Sequence, residues 1–321
     1  MSAQSHARLA VQHLHGETMG TTWSVRVVVP AGVSLHDLQA GIQRCLDLVD
    51  RQMSTYKPHS DLSRFNTAPA GTWHPLPSAC FTVLAHALKL ARDTGGAYDP
   101  TVGPLVNLWG FGPDARTHRA PSGQVIVDAR ARIGWWKVKL DATTEMAFQP
   151  GGIYLDLSSV AKGYSVDLVG AWLDEVGVTA WLIEVGGELK GKGMKPDGSP
   201  WRIGIERPDA TEQLDRIVSL SGRAIATSGD YRRSYDSGDA TYSHHIDPRS
   251  GYPVPHTVAS VSILATQAMT ADPLGTALTV LGPEHGLAYA RERNLAVLFV
   301  LHGEHGFEER MSPAFVEALR A

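Results

Sequence analysis

The stretch IYLDLSSVAKGYSVD, residues 153–167, changes its hydrophobic period half-way along. Ile153, Leu155 and Leu157 alternate with Tyr154 and Asp156, which is the period of a strand; Val160, Tyr164, Leu168 and Leu173 then recur at helical spacing. The reading is a strand over 153–157 that turns into a helix over 158–176. Asp156, Ser158, Ser159 and Lys162 fall at this junction, the most crowded corner of a mixed fold. Two accounts fit them. In one, Ser158 caps the helix and Asp156 pairs with Lys162. In the other, the free N–H groups of the helix start suit a phosphate and carbonyls of the turn ligate a hard cation. The stretch alone leaves both open.

Working outward, TTWSVRVVV (21–29) is β-branched and reads as a strand. Ser34 with Asp37 forms a capping box, followed by Leu38, Ile42, Leu46, Val49 and Met53 at helical spacing, with an end near Ser54. A second helix runs over 78–93 and stops at Gly95-Gly96. TVGPLVNLWGFG is too broken by Gly and Pro for a long helix and reads as a short helical turn over a pocket. A short helix over 124–132 precedes a strand WWKVKL (135–140). Strands follow over 180–189, 201–206, 217–220, 224–227 and 258–264, then helices over 269–281 and 284–293, a strand over 295–301 and a terminal helix. Antiparallel hairpins mixed with packed helices argue for α+β and against a doubly wound sheet.

The chain has 321 residues, 43% of them apolar, enough for one long domain or two intertwined ones. Its net charge of -4 comes with scattered Lys and Arg, so no footprint for nucleic acid or an anionic membrane is visible. Small molecules or proteins are the expected partners. Cys45 and Cys80 sit in helical patterns and read as buried thiols. The N-terminal region shows no apolar leader core, no lipobox cysteine and no apolar run of membrane length. The chain as written therefore reads as cytoplasmic, or as periplasmic if a leader has been removed.

Asp272 and Thr276 lie at i and i+4 in MTADPLGTALTVLG and so share one face of a helix. An acid in a first turn is ordinary macrodipole chemistry; beside a hydroxyl, it also supplies the oxygen-only ligands that suit magnesium better than zinc. In YSHHIDPRSGYPV, strand alternation turns His244 and His245 to opposite sides, so at most one enters a site, and Asp247-Pro248 begins a turn. The glycine runs GETMGTTWS, DTGGAYDP, EVGGELKGKG and ATSGDYRR lack Rossmann or Walker spacing, yet glycine lets backbone approach a large ligand.

In their order, the segments TMGTTWSV, MSTYKPHSDLSRFN, GGAYDPTVGPLVNLWGFG, IYLDLSSVAKGYSVD, EVGGELKGKG, IATSGDYRR, SHHIDPRSGYPV and ADPLGTALTVLG resemble the ApbE family of FAD:protein FMN transferases over nearly the whole chain. The resemblance implies an ApbE-like, T-fold-related α+β architecture. Its two intertwined subdomains would carry mixed, largely antiparallel sheets over residues 18–303, with tails over 1–17 and 304–321. It also implies a reaction in which FAD, bound with Mg2+, is split at its pyrophosphate and FMN passes to a Ser or Thr hydroxyl, releasing AMP. The acceptor would be a flavoprotein with a Ser/Thr-Gly-Ala-Ser/Thr-like motif. By motif, Met19 and Tyr56 line the flavin site, Ala97, Tyr98 and Asp99 lie near the adenosine part, and Asp156, Lys162 and Ile246 contact FAD. The Ser159 carbonyl, Asp272 and Thr276 ligate magnesium, and His244 or Asp247 takes the hydroxyl proton. His245 stands where the family usually has isoleucine, and Pro273 and Gly275 where it often has alanine; Pro273 is read as lying in a first helical turn. Other readings of the same seat are an FAD pyrophosphatase that uses water, and a flavin-binding protein without turnover.

Overall fold

In the computed structural model, which describes residues 10–113, 120–206, 208, 214–229, 234–237, 240–255 and 257–320, the chain opens with a hairpin of β1 (Val11–Thr18) and β2 (Thr21–Val28). Helix α1 (Leu35–Met53) follows, with the Asp37 N–H donating to Ser34 Oγ at 3.3 Å and Leu38, Ile42, Leu46, Val49 and Met53 buried as the spacing requires. Then come α2 (Asp61–Asn66), β3 (Thr72–Pro75), α3 (Ser78–Asp93), α4 (Gly103–Leu108) and α5 (Gly123–Ala131). Short β4 (Lys139–Asp141) and β5 (Met146–Gln149) complete a three-stranded sheet with β3. Helix α6 (Ser158–Glu175) leads into β6 (Trp181–Val185), β7 (Glu188–Lys192), β8 (Arg202–Glu206), β9 (Leu214–Ser219) and β10 (Arg223–Gly229). After β11 (Ser234–Ser237) and β12 (Ala240–Ser243), the chain closes with β13 (Val258–Ala265), α7 (Ala268–Glu292), β14 (Ala296–Gly303), β15 (Gly306–Met311) and α8 (Pro313–Ala318).

The main sheet has eight strands in the order β1-β2-β6-β7-β10-β13-β14-β15, and the described strand pairings are antiparallel. Both of its faces are covered. Trp23, Val25, Val27, Ile183 and Val185 pack under α1 and α6, while Ile263, Val297 and Phe299 pack under α3 and α7. The alternate residues Leu182, Ile225, Leu298 and Val300 face Trp201 and Val218 of the β8–β9 ribbon and Phe315 of α8. This two-sided burial explains why β13 is an unbroken buried run. A satellite cluster of Leu105, Trp109, Ile126, Ala129 and Ile133 joins α4 to α5.

Several segments differ from the sequence reading. The expected strand over 153–157 pairs with no strand: the Asn66 amide takes both backbone groups of Leu155, at 2.7 and 2.9 Å, and the Asp156 N–H donates to the Pro100 carbonyl at 2.7 Å. The expected strand over 135–140 begins as a 3-10 turn at Trp135–Lys137, because the Gly134 and Trp135 N–H groups are taken by Thr101 Oγ1 and Asp99 Oδ2. The run 180–189 is two strands around a Gly186-Gly187 turn. Ser158 does not cap α6; Asp156 Oδ1 accepts the Ser158 N–H at 2.8 Å instead. Asp272 and Pro273 are the fifth and sixth residues of α7, beyond its first turn, so Pro273 removes an interior helical donor. The segments expected as tails contribute both edge strands, β1 and β15. On β1, the Gln39 and Gln43 side chains of α1 donate to the carbonyls of His15 and Glu17.

Helices α6 and α7 touch at Gly163. A Cβ there would lie 2.3 Å from the Ala268 carbonyl oxygen and 2.8 Å from Asp272 Cβ, and both neighbours belong to rigid helix. Gly275 is constrained in the same way, since a Cβ would lie 2.5 Å from Ser228 Oγ. The substitution Gly163→Ala is expected to destabilise the chain by about 1–3 kcal/mol, the usual range for overpacking. Gly123→Ala, where a Cβ meets open space, is expected to be neutral or slightly stabilising; thermal denaturation of the two variants compares them directly.

Candidate functional site

Two hairpin tips meet at one end of the main sheet. Met19-Gly20 joins β1 to β2 and Gly186-Gly187 joins β6 to β7, with φ values of 47°, 71°, 59° and 101°. Two-residue turns with both φ positive match the twist of the strands they connect, which is why glycine favours them. Met19 adopts the same conformation without that freedom, at a strain of about 1–2 kcal/mol. The Gly186 N–H donates to the Thr22 carbonyl at 3.0 Å and ties the tips together. A Cβ on Gly186 would lie 3.0 Å from Thr21 Cγ2 and 3.2 Å from Lys162 Cδ, so this turn runs against the stem of the α6 lysine.

The turn delivers Glu188 to that lysine. Lys162 Nζ lies 2.7 Å from Glu188 Oε1 and 3.5 Å from Asp272 Oδ1, while Asp272 Oδ2 accepts the Gly163 N–H at 2.9 Å. Asp272 is only 5% exposed and Glu188 only 3%. Glu188 Oε2 is buried without a hydrogen-bond partner. Burial raises the Asp272 carboxyl above the ordinary range; the Lys162 ammonium opposes the rise and Glu188 adds to it. For Lys162, burial works against the charged form and the two carboxylates outweigh it, so its pKa is raised. The pairing of Lys162 with Asp156 suggested by the sequence is not formed: the ammonium reaches across to Glu188 and Asp272.

Next to this cluster, Ser159 Oγ donates to the hydroxyl of Tyr98 at 3.2 Å. Burial pushes the Tyr98 phenol upward, opposed by that hydrogen bond. Ala97 and Tyr98 are buried, and Thr276 is half-buried one turn beyond Asp272 on α7. Both Asp99 oxygens are engaged inside the protein: Oδ1 accepts from the Thr101 N–H and hydroxyl, Oδ2 from the Trp135 N–H. Burial nonetheless raises its pKa. Asp99 thus shapes the loop that carries Ala97 and Tyr98. Tyr56, after α1, is 61% exposed, an aromatic face left open to a planar ring.

His244, Ile246 and Asp247 belong to a second group around Trp109. Ile246 is buried with Leu105, Trp109 and Ile126, and bridges to Pro253. Asp247 is held by Arg249 through both oxygens, at 2.9 and 3.0 Å, and its Oδ1 also accepts the Arg249 N–H. The histidines do not alternate as a strand requires. The chain has left β12 at Ser243, and the two rings lie on one side, 4.0 Å apart. His245 is the buried member and His244 the half-buried one, its ring edge-on to Phe111 at 6.2 Å. Tyr231 and Arg232 of GDYRR lie outside the described residues.

The candidate ligands beside Lys162, the Asp272 carboxylate and the Thr276 hydroxyl, are oxygen groups, which fits a hard divalent cation. Among the described residues, no group of three or more His, Cys, Asp or Glu is placed to hold a metal. A cation here would rest on Asp272, the Thr276 hydroxyl and a backbone carbonyl, with the remaining positions left to a phosphate ligand, the usual arrangement for magnesium.

A family profile for ApbE matches residues 19–299. The chain belongs to the ApbE family. It is 41% identical over 305 residues to a Vibrio cholerae FAD:protein FMN transferase, covering 94% of this chain and 91% of that one. It is 36% identical over 317 residues to an Escherichia coli K12 FAD:protein FMN transferase, covering 98% of this chain and 90% of that one. The crystal structure of Pseudomonas stutzeri flavinyl transferase ApbE in its apo form superposes with a TM-score of 0.90 at 41% identity, over 97% of this chain and 98% of that one. The flavin transferase ApbE from Vibrio cholerae gives 0.90 at 40% identity, over 97% and 99%. These comparisons confirm the α+β fold expected from the sequence.

Glu188 is the site residue the sequence reading missed; the signal was an acid directly after a two-glycine turn in GGEL. His245 offers a separate test. Burial, with His244 as a second cause, holds its imidazole well below the usual histidine range. A depressed histidine pKa means the unfolded chain binds the proton more tightly, so stability is lost as pH falls through about 6.5, the unfolded value. His245→Ile is expected to flatten the fall in Tm between pH 7 and pH 5 relative to wild type; parallel slopes in a thermal-shift series would contradict this.

Proposed function

We propose that this chain transfers the FMN moiety of FAD to a Ser or Thr hydroxyl of an acceptor protein, with AMP as the leaving group. The observation that carries the reading is the buried Lys162–Asp272–Glu188 cluster at the hairpin tips, beside the family membership. A cluster of one ammonium and two carboxylates has an excess negative charge in a dry place, which a divalent cation with its phosphate ligand balances. Asp272, Thr276 and the Ser159 carbonyl would hold Mg2+, which supplies charge neutralisation at the pyrophosphate oxygens when bound. Lys162 binds a phosphate oxygen, Met19 and Tyr56 bracket the flavin, and Tyr98 and Ala97 wall the adenosine side.

In the transfer, the acceptor oxygen forms a bond to the phosphorus of the FMN half, the bond from that phosphorus to the bridging oxygen breaks, and AMP departs with that oxygen. The hydroxyl proton passes to a base within hydrogen-bond reach. Between the two expected bases, the geometry supports His244, because Asp247 is engaged by Arg249 through both oxygens. Acceptors with a Ser/Thr-Gly-Ala-Ser/Thr-like motif are the proposed partners.

Mass spectrometry of such an acceptor domain, incubated with this chain, FAD and Mg2+, is expected to show the added mass of one FMN moiety. Asp272→Ala should lower the rate by about two orders of magnitude or more, as loss of a group that stabilises developing charge does. AMP and free FMN without an adduct would assign the attack to water. His244→Ala is expected to abolish transfer while FAD binding, followed by flavin fluorescence, stays close to wild type; equal transfer rates would reject its role as base.

A further inference from the structure

Lys162 cannot serve a cation seat while it occupies one of the seat's ligands. Its ammonium lies 3.5 Å from Asp272 Oδ1, a long contact, and 2.7 Å from Glu188 Oε1, a short one. The second oxygen of Asp272 is already engaged by the Gly163 N–H. Oδ1 is therefore the oxygen a cation would take, and Lys162 is its competitor. Glu188 has spare capacity, since Oε2 is buried and unpartnered. We propose that Glu188 is a positioning residue that retains the Lys162 ammonium when a cation takes Asp272 Oδ1, the ammonium moving its second contact from Asp272 to Glu188 Oε2. The inference rests on the reading of Asp272 as a cation ligand.

The exchange keeps Lys162 paired with a carboxylate in both states, and the cation offsets the excess negative charge of the cluster. Without the cation, Lys162 is shared by two carboxylates. With it, Lys162 belongs to Glu188 and Asp272 to the cation, and the unpartnered oxygen is satisfied in the same step. An ammonium has three donors on a flexible stem and makes such a shift without moving backbone. The Gly186-Gly187 turn fixes Glu188 close enough for this, because it carries the β7 carboxylate back toward the α6 lysine whose stem it packs against. In Glu188→Gln, Asp272 becomes the sole anionic partner of Lys162, and the cation must break that pair before it binds.

The test titrates Mn2+ alone into the full-length protein and follows the free-ion EPR signal, with thermal denaturation of each variant to confirm a cooperative transition. Asp272→Asn is expected to lose Mn2+ uptake at this seat. Glu188→Gln is expected to weaken Mn2+ binding by about tenfold or more, the range seen when a residue supporting a metal ligand is removed. Glu188→Asp, which keeps the charge on a shorter arm, should fall between that value and wild type. The double variant Lys162→Met with Glu188→Gln removes the competitor as well and should recover affinity toward wild type. Unchanged Mn2+ affinity in Glu188→Gln, or no recovery in the double variant, overturns the role of Glu188 while Asp272→Asn still loses the ion. Equal uptake by Asp272→Asn and wild type overturns the cation seat itself.

Discussion

The absence of a side chain at Gly163 sets the distance between α6 and α7, and the site depends on that distance. The Ala268 carbonyl and Asp272 Cβ occupy the space a Cβ would need. The Gly163 N–H, pointing the same way, fixes Asp272 through Oδ2. Lys162, one residue earlier on α6, then faces the other oxygen of the same carboxylate. Asp167, further along α6, accepts the Met269 N–H at the start of α7 and a hydrogen bond from Lys190 of β7. Two helices and a strand are thereby registered against one another by polar contacts at either end of a close backbone crossing.

The chemistry follows from where those elements end. Two hairpin tips lie together here, tied by the Gly186 N–H to the Thr22 carbonyl. One tip contributes a strained methionine and the other an acid. The loop 97–101, braced by both Asp99 oxygens, closes the arrangement from a third direction. Charge and shape at the site thus come from turns, while its precision comes from helices and sheet that hold the turns still.

Much of the fold was legible because its helices are amphipathic in the ordinary way. Leu38, Ile42, Leu46 and Val49 mark α1, and α3 begins and ends where its apolar spacing and Gly95-Gly96 indicate. What was illegible depended on side chains satisfying backbone at long range. Nothing local to 153–157 says that Asn66, far back in sequence, will pair with Leu155. Nothing in GWWKVKL says that Thr101 and Asp99 will take the N–H groups of Gly134 and Trp135. Asp272 and Lys162 were singled out from their motifs, whereas Glu188 was not, because its role arises from a turn between strands that read as one run. The histidine pair failed for a simpler reason: alternation was assumed beyond the end of the strand.

The two glutamine amides of α1 reach the carbonyls of β1 at His15 and Glu17. An outermost strand with open acceptors is a template on which another polypeptide can lay itself as an extra strand. With two of those acceptors already occupied by its own helix, this margin is a poorer template for such annealing than a bare strand edge.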